Sequence, residues 1–419
     1  MSNKLILQSN NEALSANNLD LQSLIDQANA LPEAGGVELP TLTNEGSASD
    51  LLFGKQLIDS EGSVVTGTFN LDTELSDYDA ILNRTIVNYS NDRLTTIGDF
   101  AFASCCDLQK VSFPACTSIG ESAFWYCYRM YSVSFPICTT IGKGAFHGCN
   151  NLDLVSFPAC TSIGESAFSY CYLNIASFPV CTTIGPYAFY ACYMMLSKAS
   201  FPVCETIGNN AFGSCTRLAS ISFPVATNIG SYAFTRCYSL TTASFPAAIT
   251  IGGSAFYSCS NLASISFPVA TNIGSYAFYS CSNLTSANFP ACTSIGSYAF
   301  TYCSNLTSIN FPVATTIGNN TFASCYSLTS ANFPAAITIG GSAFYRCYNL
   351  TSLYLTGSSL CQLSNSSAFT STPIGGYSTS AGTYGSIYVP LSLLTSYQTA
   401  TNWTYFSSRF VGVTAGGWN

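Results

Sequence analysis

Charge is what this 419-residue chain has least of: Asp, Glu, Lys and Arg make up only 8% of it, against about a quarter in ordinary soluble domains. The few charges are unevenly placed. Residues 1–99 hold 15 of the 20 acids and 4 of the 12 bases, a balance of −11. The remainder holds 5 acids and 8 bases, a balance of +3, and no carboxylate side chain follows Glu205. An acidic N-terminal segment thus precedes a nearly neutral array whose solubility rests on Ser, Thr, Asn, Tyr and Gly. Scattered Arg and Lys residues make no basic stripe, which sets nucleic acid aside as a partner. One histidine, His147, and no Cys-x-x-Cys pair leave nothing to build a zinc clamp. No apolar run approaches the length of a membrane-spanning helix, so no membrane insertion is expected. Met1–Ala34 also lacks the basic start and compact apolar stretch of a secretion signal. The expectation is a protein kept in a cytosol, or released by lysis or a dedicated machine.

What the chain has is repetition. The phrase Ile-Gly-x-x-Ala-Phe-x-x-Cys recurs twelve times, followed in most copies by x-x-Leu-x-x-x-x-Phe-Pro. The Phe-Pro pairs from Phe113 to Phe333 are spaced by 22, 22, 21 and 23 residues and then by 22 throughout. A fixed period of this length means a solenoid, whose coils bury their apolar faces only against one another. Twelve coils about 4.8 Å apart make an array about 58 Å long. Such an extended surface favours binding over catalysis.

The 20 cysteines could suggest a secreted disulfide scaffold, but their positions argue otherwise. Twelve occupy one column, Cys105 to Cys347, and six more follow Phe-Pro-x, where five other copies carry Ala. A place that accepts Cys or Ala asks for a small buried group, as a reduced thiol supplies. Ladder disulfides and metal are the minor alternatives.

Within a coil, the best strand ends in Phe-Pro. In Leu306–Phe311, Leu306, Ile309 and Phe311 point inward while Ser308 and Asn310 point out, and Pro312 ends the ladder. Thr316-Ile317-Gly318 reads as a second extended piece whose glycine turns a corner. Ser297–Phe300 reads as a turn of helix or 3₁₀ carrying the buried Phe. Along the chain, 1–34 reads as a strand and helix for attachment or oligomerisation. Residues 35–70 read as a linker and small hairpin turning at Glu61-Gly62, and 71–95 as an N-terminal cap. The solenoid takes 96–355 and a C-terminal cap 356–419, with Trp403 and Phe406 over the last coil.

The recurring unit resembles the BspA-like leucine-rich repeat over about residues 95–355. That resemblance implies a right-handed leucine-rich-repeat-type solenoid, mainly β with short helical turns, and an adhesive or ligand-binding role without enzymatic activity. Separately, Asp50–Phe69 resembles a short element of phage tail and other virion proteins, carried by Lys55, Gly62, Val65, Gly67 and Thr68.

Candidate catalytic groups are few. His147 stands where other copies have Tyr, Ser or Thr, and reads as a tolerated exposed substitution. Glu121 and Glu165 lie two coils, about 10 Å, apart. That separation suits a glycosidase pair, yet no cleft is evident between them and solvated carboxylates are the simpler reading. The aromatic columns flanking the buried Phe and Cys are the candidate binding residues: Trp125, Tyr126, Tyr170, Tyr190, Tyr232, Tyr257, Tyr276, Tyr279, Tyr298, Tyr302 and Tyr345. Tyr exchanging with Ser, Thr, Asn and Arg is a paratope vocabulary, and rings also stack on sugars. The bland alternative is that these tyrosines merely cover the coil flank. The outward strand lattice, Ser220/Ser222 through Ser330/Asn332, reads as a polar face for polysaccharide or protein, as an ice-binding plane, or as plain solubilising cover.

The sequence reading is therefore a non-enzymatic phage virion fibre or decoration protein with no cofactor and no metal. It would contact other virion proteins through residues 1–70 and a host-surface glycan or protein through the array. A homo-trimer suits a fibre, although 1–34 sets no heptad long enough to demand one. A bacterial cell-surface adhesin is the alternative, with a cell-wall or polysaccharide hydrolase or an ice-binding protein further off.

Overall fold

In the computed structural model the described residues are 57–58, 64–65, 81, 83–192, 196–377 and 383–414. Leu57–Ile58 and Val64–Val65 pair antiparallel, Leu57 opposite Val65; the turn expected between them and the segment 1–34 lie outside the described residues. From Asn88 onward the chain is a parallel solenoid of coils of about 22 residues, mainly β with few helices.

Each coil has three sides. The first is a three-residue strand such as Ser308–Asn310, with Ile309 buried and its neighbours exposed. The second is a two-residue strand such as Thr316–Ile317, and these stack into one unbroken 13-stranded sheet from Thr96–Ile97 to Gln362–Leu363. The first-side ladder is broken into four shorter sheets of three, three, two and seven strands. Coiling extends beyond the twelve motif copies. Asn88–Ser90 pairs with Lys110–Ser112, while Gln362–Leu363 and Ser386–Pro390 continue the two ladders past residue 355. The one-residue slip is absorbed between the column Cys and the next Leu, so the strands stay in register: Ser156 pairs with Ser177 and Ser177 with Ser200.

The third side takes a different form from the expected helical turn. Between Gly296 and Cys303 the N–H groups alternate between their own coil and the next. Ala299, Thr301 and Cys303 bond back to Gly296, Tyr298 and Phe300, while Tyr298, Phe300 and Tyr302 bond across to Asn319, Thr321 and Ala323. Two of these turns place their third residue at positive φ, Tyr298 at 60° and Tyr302 at 62°. That is the type II pattern, which ordinarily selects Gly or Asn. Here Ser, Tyr, Asn and Arg fill most such places, so the residue types conceal the turns. Among the described residues, the C-terminal end carries helical pieces at Ser366–Phe369, Leu391–Leu393, Leu394–Thr399 and Thr404–Arg409.

Two stacks of phenylalanine fill the interior. Phe278 and Phe300 stack at 5.1 Å and 13°, Phe289 and Phe311 at 5.6 Å and 9°, and the two stacks meet edge-on, as Phe278 and Phe289 do at 61°. Each such pair adds about 0.5–1.5 kcal/mol beyond area burial. Where the phrase varies, Thr321 replaces the column Ala and buries its hydroxyl by donating to Gly318 O at 2.7 Å.

All twenty cysteines are free. The two sulfur columns differ, however. Cys303 Sγ donates to Phe278 O of the preceding coil at 3.2 Å, and this bond repeats along the column. Cys292 Sγ bonds instead within its own coil, to Ser294 O at 3.3 Å. The short bond of the invariant sulfur crosses to the coil before, whereas that of the exchangeable one stays within its own coil. The glycine of Ile-Gly likewise serves coil stacking rather than a corner. A Cβ on Gly274 would lie 2.6 Å from Gly252 C and Gly253 N of the coil before.

At the C-terminal end Trp403 and Tyr397 are buried. Trp403 Nε1 donates to Cys361 O at 2.7 Å, Cys361 N donates to the Tyr397 hydroxyl at 3.0 Å, and Phe369 packs against Trp403.

Candidate binding edge

The turn side carries the candidate aromatic residues in three columns. Two are the positive-φ places, holding Tyr232, Tyr276 and Tyr298 in one and Tyr126, Tyr170 and Tyr302 in the other. Between them, just after the buried Phe, runs a middle column with Trp125, Tyr190, Tyr257, Tyr279 and Tyr345. Left-handed backbone costs a bulky side chain about 1 kcal/mol or more. It is held here because neighbouring coils fix every turn from both sides. The conformation leaves the ring outside: Tyr126, Tyr170, Tyr232 and Tyr302 are each more than 40% exposed.

The candidates gather into two patches. In the first, Trp125 touches Tyr126 at 4.3 Å, and the chain of rings runs on through His147 and Tyr170 to Tyr190. In the second, Tyr257 stacks on Tyr279 at 4.9 Å and 2°, Tyr276 stacks on Tyr298 at 4.7 Å and 3°, and Tyr302 meets Tyr279 edge-on. Burial and the surrounding phenols push the Tyr279 hydroxyl up. Tyr345 stands apart, with Arg346 over its ring at 5.0 Å.

Between the patches the middle column reads Tyr190, Gly213, Thr235, Tyr257. The small pair opens a shallow groove of 410 Å³, walled by Tyr190 on one side and by Tyr257 and Tyr276 on the other. Tyr190 leans across Gly213, where an added Cβ would sit 3.0 Å from its ring. Tyr232, Thr235 and Arg236 line it between these walls. Asn210, Ser214 and Ser254 add hydrogen-bonding groups at its margins.

Residues 83–196, 182–292 and 271–382 match the model of the BspA type leucine rich repeat region, together well over half of the chain. The chain belongs to the BspA-type leucine-rich-repeat family. Its fold is similar to a leucine-rich repeat protein from Bacteroides ovatus, with 25% identity, 66% of this chain and 91% of that one covered, and a TM-score of 0.42. It is also similar to a leucine rich cell surface protein from Faecalibacterium prausnitzii, with 22% identity, coverage of 85% and 96%, and a TM-score of 0.44. The pneumococcal vaccine antigen PcpA aligns at 13% identity over 78% of this chain and 87% of that one, with a TM-score of 0.38. No curated protein matches the sequence.

Two residues of the BspA-type array take roles the sequence reading did not give them. His147 is half-buried rather than exposed; its Nδ1 lies 2.6 Å from Ser169 Oγ, burial pushes its pKa down, and its ring completes the first patch. Arg236 reaches the groove. Its signal was its column, since it occupies the same turn place as Tyr126 and Tyr302. Glu165 pairs with Lys143 of the coil before at 3.5 Å, so it faces a base rather than Glu121. On the strand face the polar groups satisfy one another along the stack. Asn332 Nδ2 donates to Asn310 Oδ1 at 2.8 Å and Asn288 Nδ2 to Ser266 Oγ at 3.2 Å.

Proposed function

We propose that this BspA-type repeat protein is a non-enzymatic recognition protein whose turn edge binds a surface glycan. One observation carries the proposal: tyrosines occupy left-handed turn positions where Ser, Asn or Gly of other coils fit with as little or less strain, and two of them, Tyr232 and Tyr276, stand exposed at the groove. Stacking on a neighbour repays that strain at Tyr276 and Tyr298, but mere cover of a coil flank gives no reason to hold a bulky ring on that backbone at Tyr232, which among the described residues stacks on no ring. Rigid rings offer flat faces to sugar C–H groups, and the interleaved Ser, Thr and Asn supply adaptable hydrogen bonds.

The reading also assigns residues 1–70 to attachment or oligomerisation. Their acidity beside a neutral plank, and the phage-like element at Asp50–Phe69, support a virion fibre or decoration protein. Membership of a repeat family known from bacterial surfaces supports a cell-surface adhesin as the second placement.

The test is to expose the full chain to arrayed bacterial surface polysaccharides. Saturable binding without release of new reducing ends is expected; steady release would replace the binder with a hydrolase. Antibodies against residues 1–70 should label phage particles or cell envelopes, and labelling of neither would remove the attachment role.

A further inference from the structure

We infer that the groove around Arg236 selects a carboxylated sugar, a uronic or nonulosonic acid unit of the surface glycan. This rests on the glycan-binding reading above and goes further by naming the charge that the sugar carries. Three features of the groove lead to it.

First, its size follows from the column. Tyr190 and Tyr257 are three coils apart, about 14 Å between backbones. Gly213 and Thr235 between them leave space one to two pyranose rings wide. Second, its walls are aromatic and its margins carry hydroxyl and amide groups, a combination suited to an oxygen-rich ring rather than to an apolar peptide. Third, its lining includes a cation without a counter-charge. Arg236 is exposed, and among the described residues the two ion pairs, Arg129–Asp107 and Lys143–Glu165, lie elsewhere. No carboxylate side chain follows Glu205 in the chain, and Glu205 does not line the groove. A carboxylate there meets no like charge, and a planar guanidinium can take both its oxygens at once. Arg236 also sits at φ 58°, held by its N–H bond to Tyr257 O at 2.7 Å, so its backbone is fixed before any ligand arrives.

The experiment uses the full chain against acidic glycans, the same glycans with their carboxyl groups reduced to alcohols, and sulfated and phosphate-bearing glycans. Carboxyl reduction should weaken binding about ten- to a hundredfold, the usual worth of a charged hydrogen-bonded contact. Arg236→Gln should lose the same factor on the acidic glycan and none on the reduced one. Arg346→Gln is the control. It occupies the same turn column at φ 59° but lies outside the groove, and should leave binding unchanged. Equal losses from both variants would show diffuse electrostatics and overturn the assignment. Preference for sulfated or phosphate-bearing glycans over carboxylated ones would overturn it too. Glycan binding that ignores the carboxyl group sinks this inference while leaving glycan recognition intact; absence of all glycan binding removes both.

Discussion

Tyr276 and Tyr298 stack face to face at 4.7 Å and 3°, one coil apart, each on a backbone with φ of 60°. The pair joins two facts that usually exclude each other: a bulky side chain in the left-handed region, and regular repetition of it. The stacking regained between rings is comparable to the local strain, about 1 kcal/mol each way. Stacking of this kind repays the strain where a neighbouring coil carries the same ring, as it does within the second patch.

Tyr232 separates the two effects, because among the described residues it stacks on no neighbouring ring. Tyr232→Gly should leave stability unchanged or raise it by up to about 1 kcal/mol, since glycine relieves the positive φ at an entropic cost. Glycan affinity should fall severalfold in the same protein. Urea unfolding and titration calorimetry read the two quantities; a stability loss with unaltered affinity would return the tyrosine to plain cover.

The sulfur columns predict unequal costs. Cys303→Ala removes the inter-coil bond to Phe278 O and opens a void among fully buried groups, and should cost about 2 kcal/mol. Cys292→Ala reproduces what the flanking coils already have at Ala270 and Ala314, and should cost less than about 1 kcal/mol. Equal losses in chemical denaturation would contradict the inter-coil role.

Gly274→Ala forces a Cβ against the backbone of the preceding coil and should cost about 3 kcal/mol. Gly98→Ala occupies the same motif position in the first copy, where an added Cβ meets nothing within 4 Å, and should be nearly neutral. If the two variants melt alike, close coil approach is not why the motif needs glycine.

Alkaline pH should unfold the array early. Burial raises the Cys237 and Cys281 thiols from 9.0 to about 12. The native state thus keeps protons that the unfolded chain has already released. Their contribution is complete below pH 9 and declines as pH rises toward 12, by up to about 1.4 kcal/mol per pH unit for each thiol. Urea midpoints should hold level from about pH 7 to about pH 8.5 and then drop steeply. A level profile through about pH 10 would show that these thiols are not held dry.

Much of the coil was legible from residue order. Period-2 alternation in Ser308-Ile309-Asn310 set which side chains face inward, and the 22-residue interval set the stacking. The third side was not legible, because type II turns announce themselves by Gly or Asn and this chain writes Tyr, Ser and Arg there. Past residue 355, Ile387-Tyr388-Val389-Pro390 reads as a restarted strand-Pro unit and forms one, but the rest of the continuation was hidden. Gln362–Leu363 and Ala368-Phe369 fill the coil positions without repeating the full phrase.

By itself, the sequence determined that there would be stacked coils with a phenylalanine and thiol interior, since a fixed period with fixed apolar places admits no other burial. Only the tertiary structure decided where a ligand could lie. Tyr190, Gly213, Thr235, Arg236 and Tyr257 are spread over 68 residues of chain and meet because each coil sets its turn directly beside the last. A groove made by small residues between large ones exists only once that stacking has put them in line.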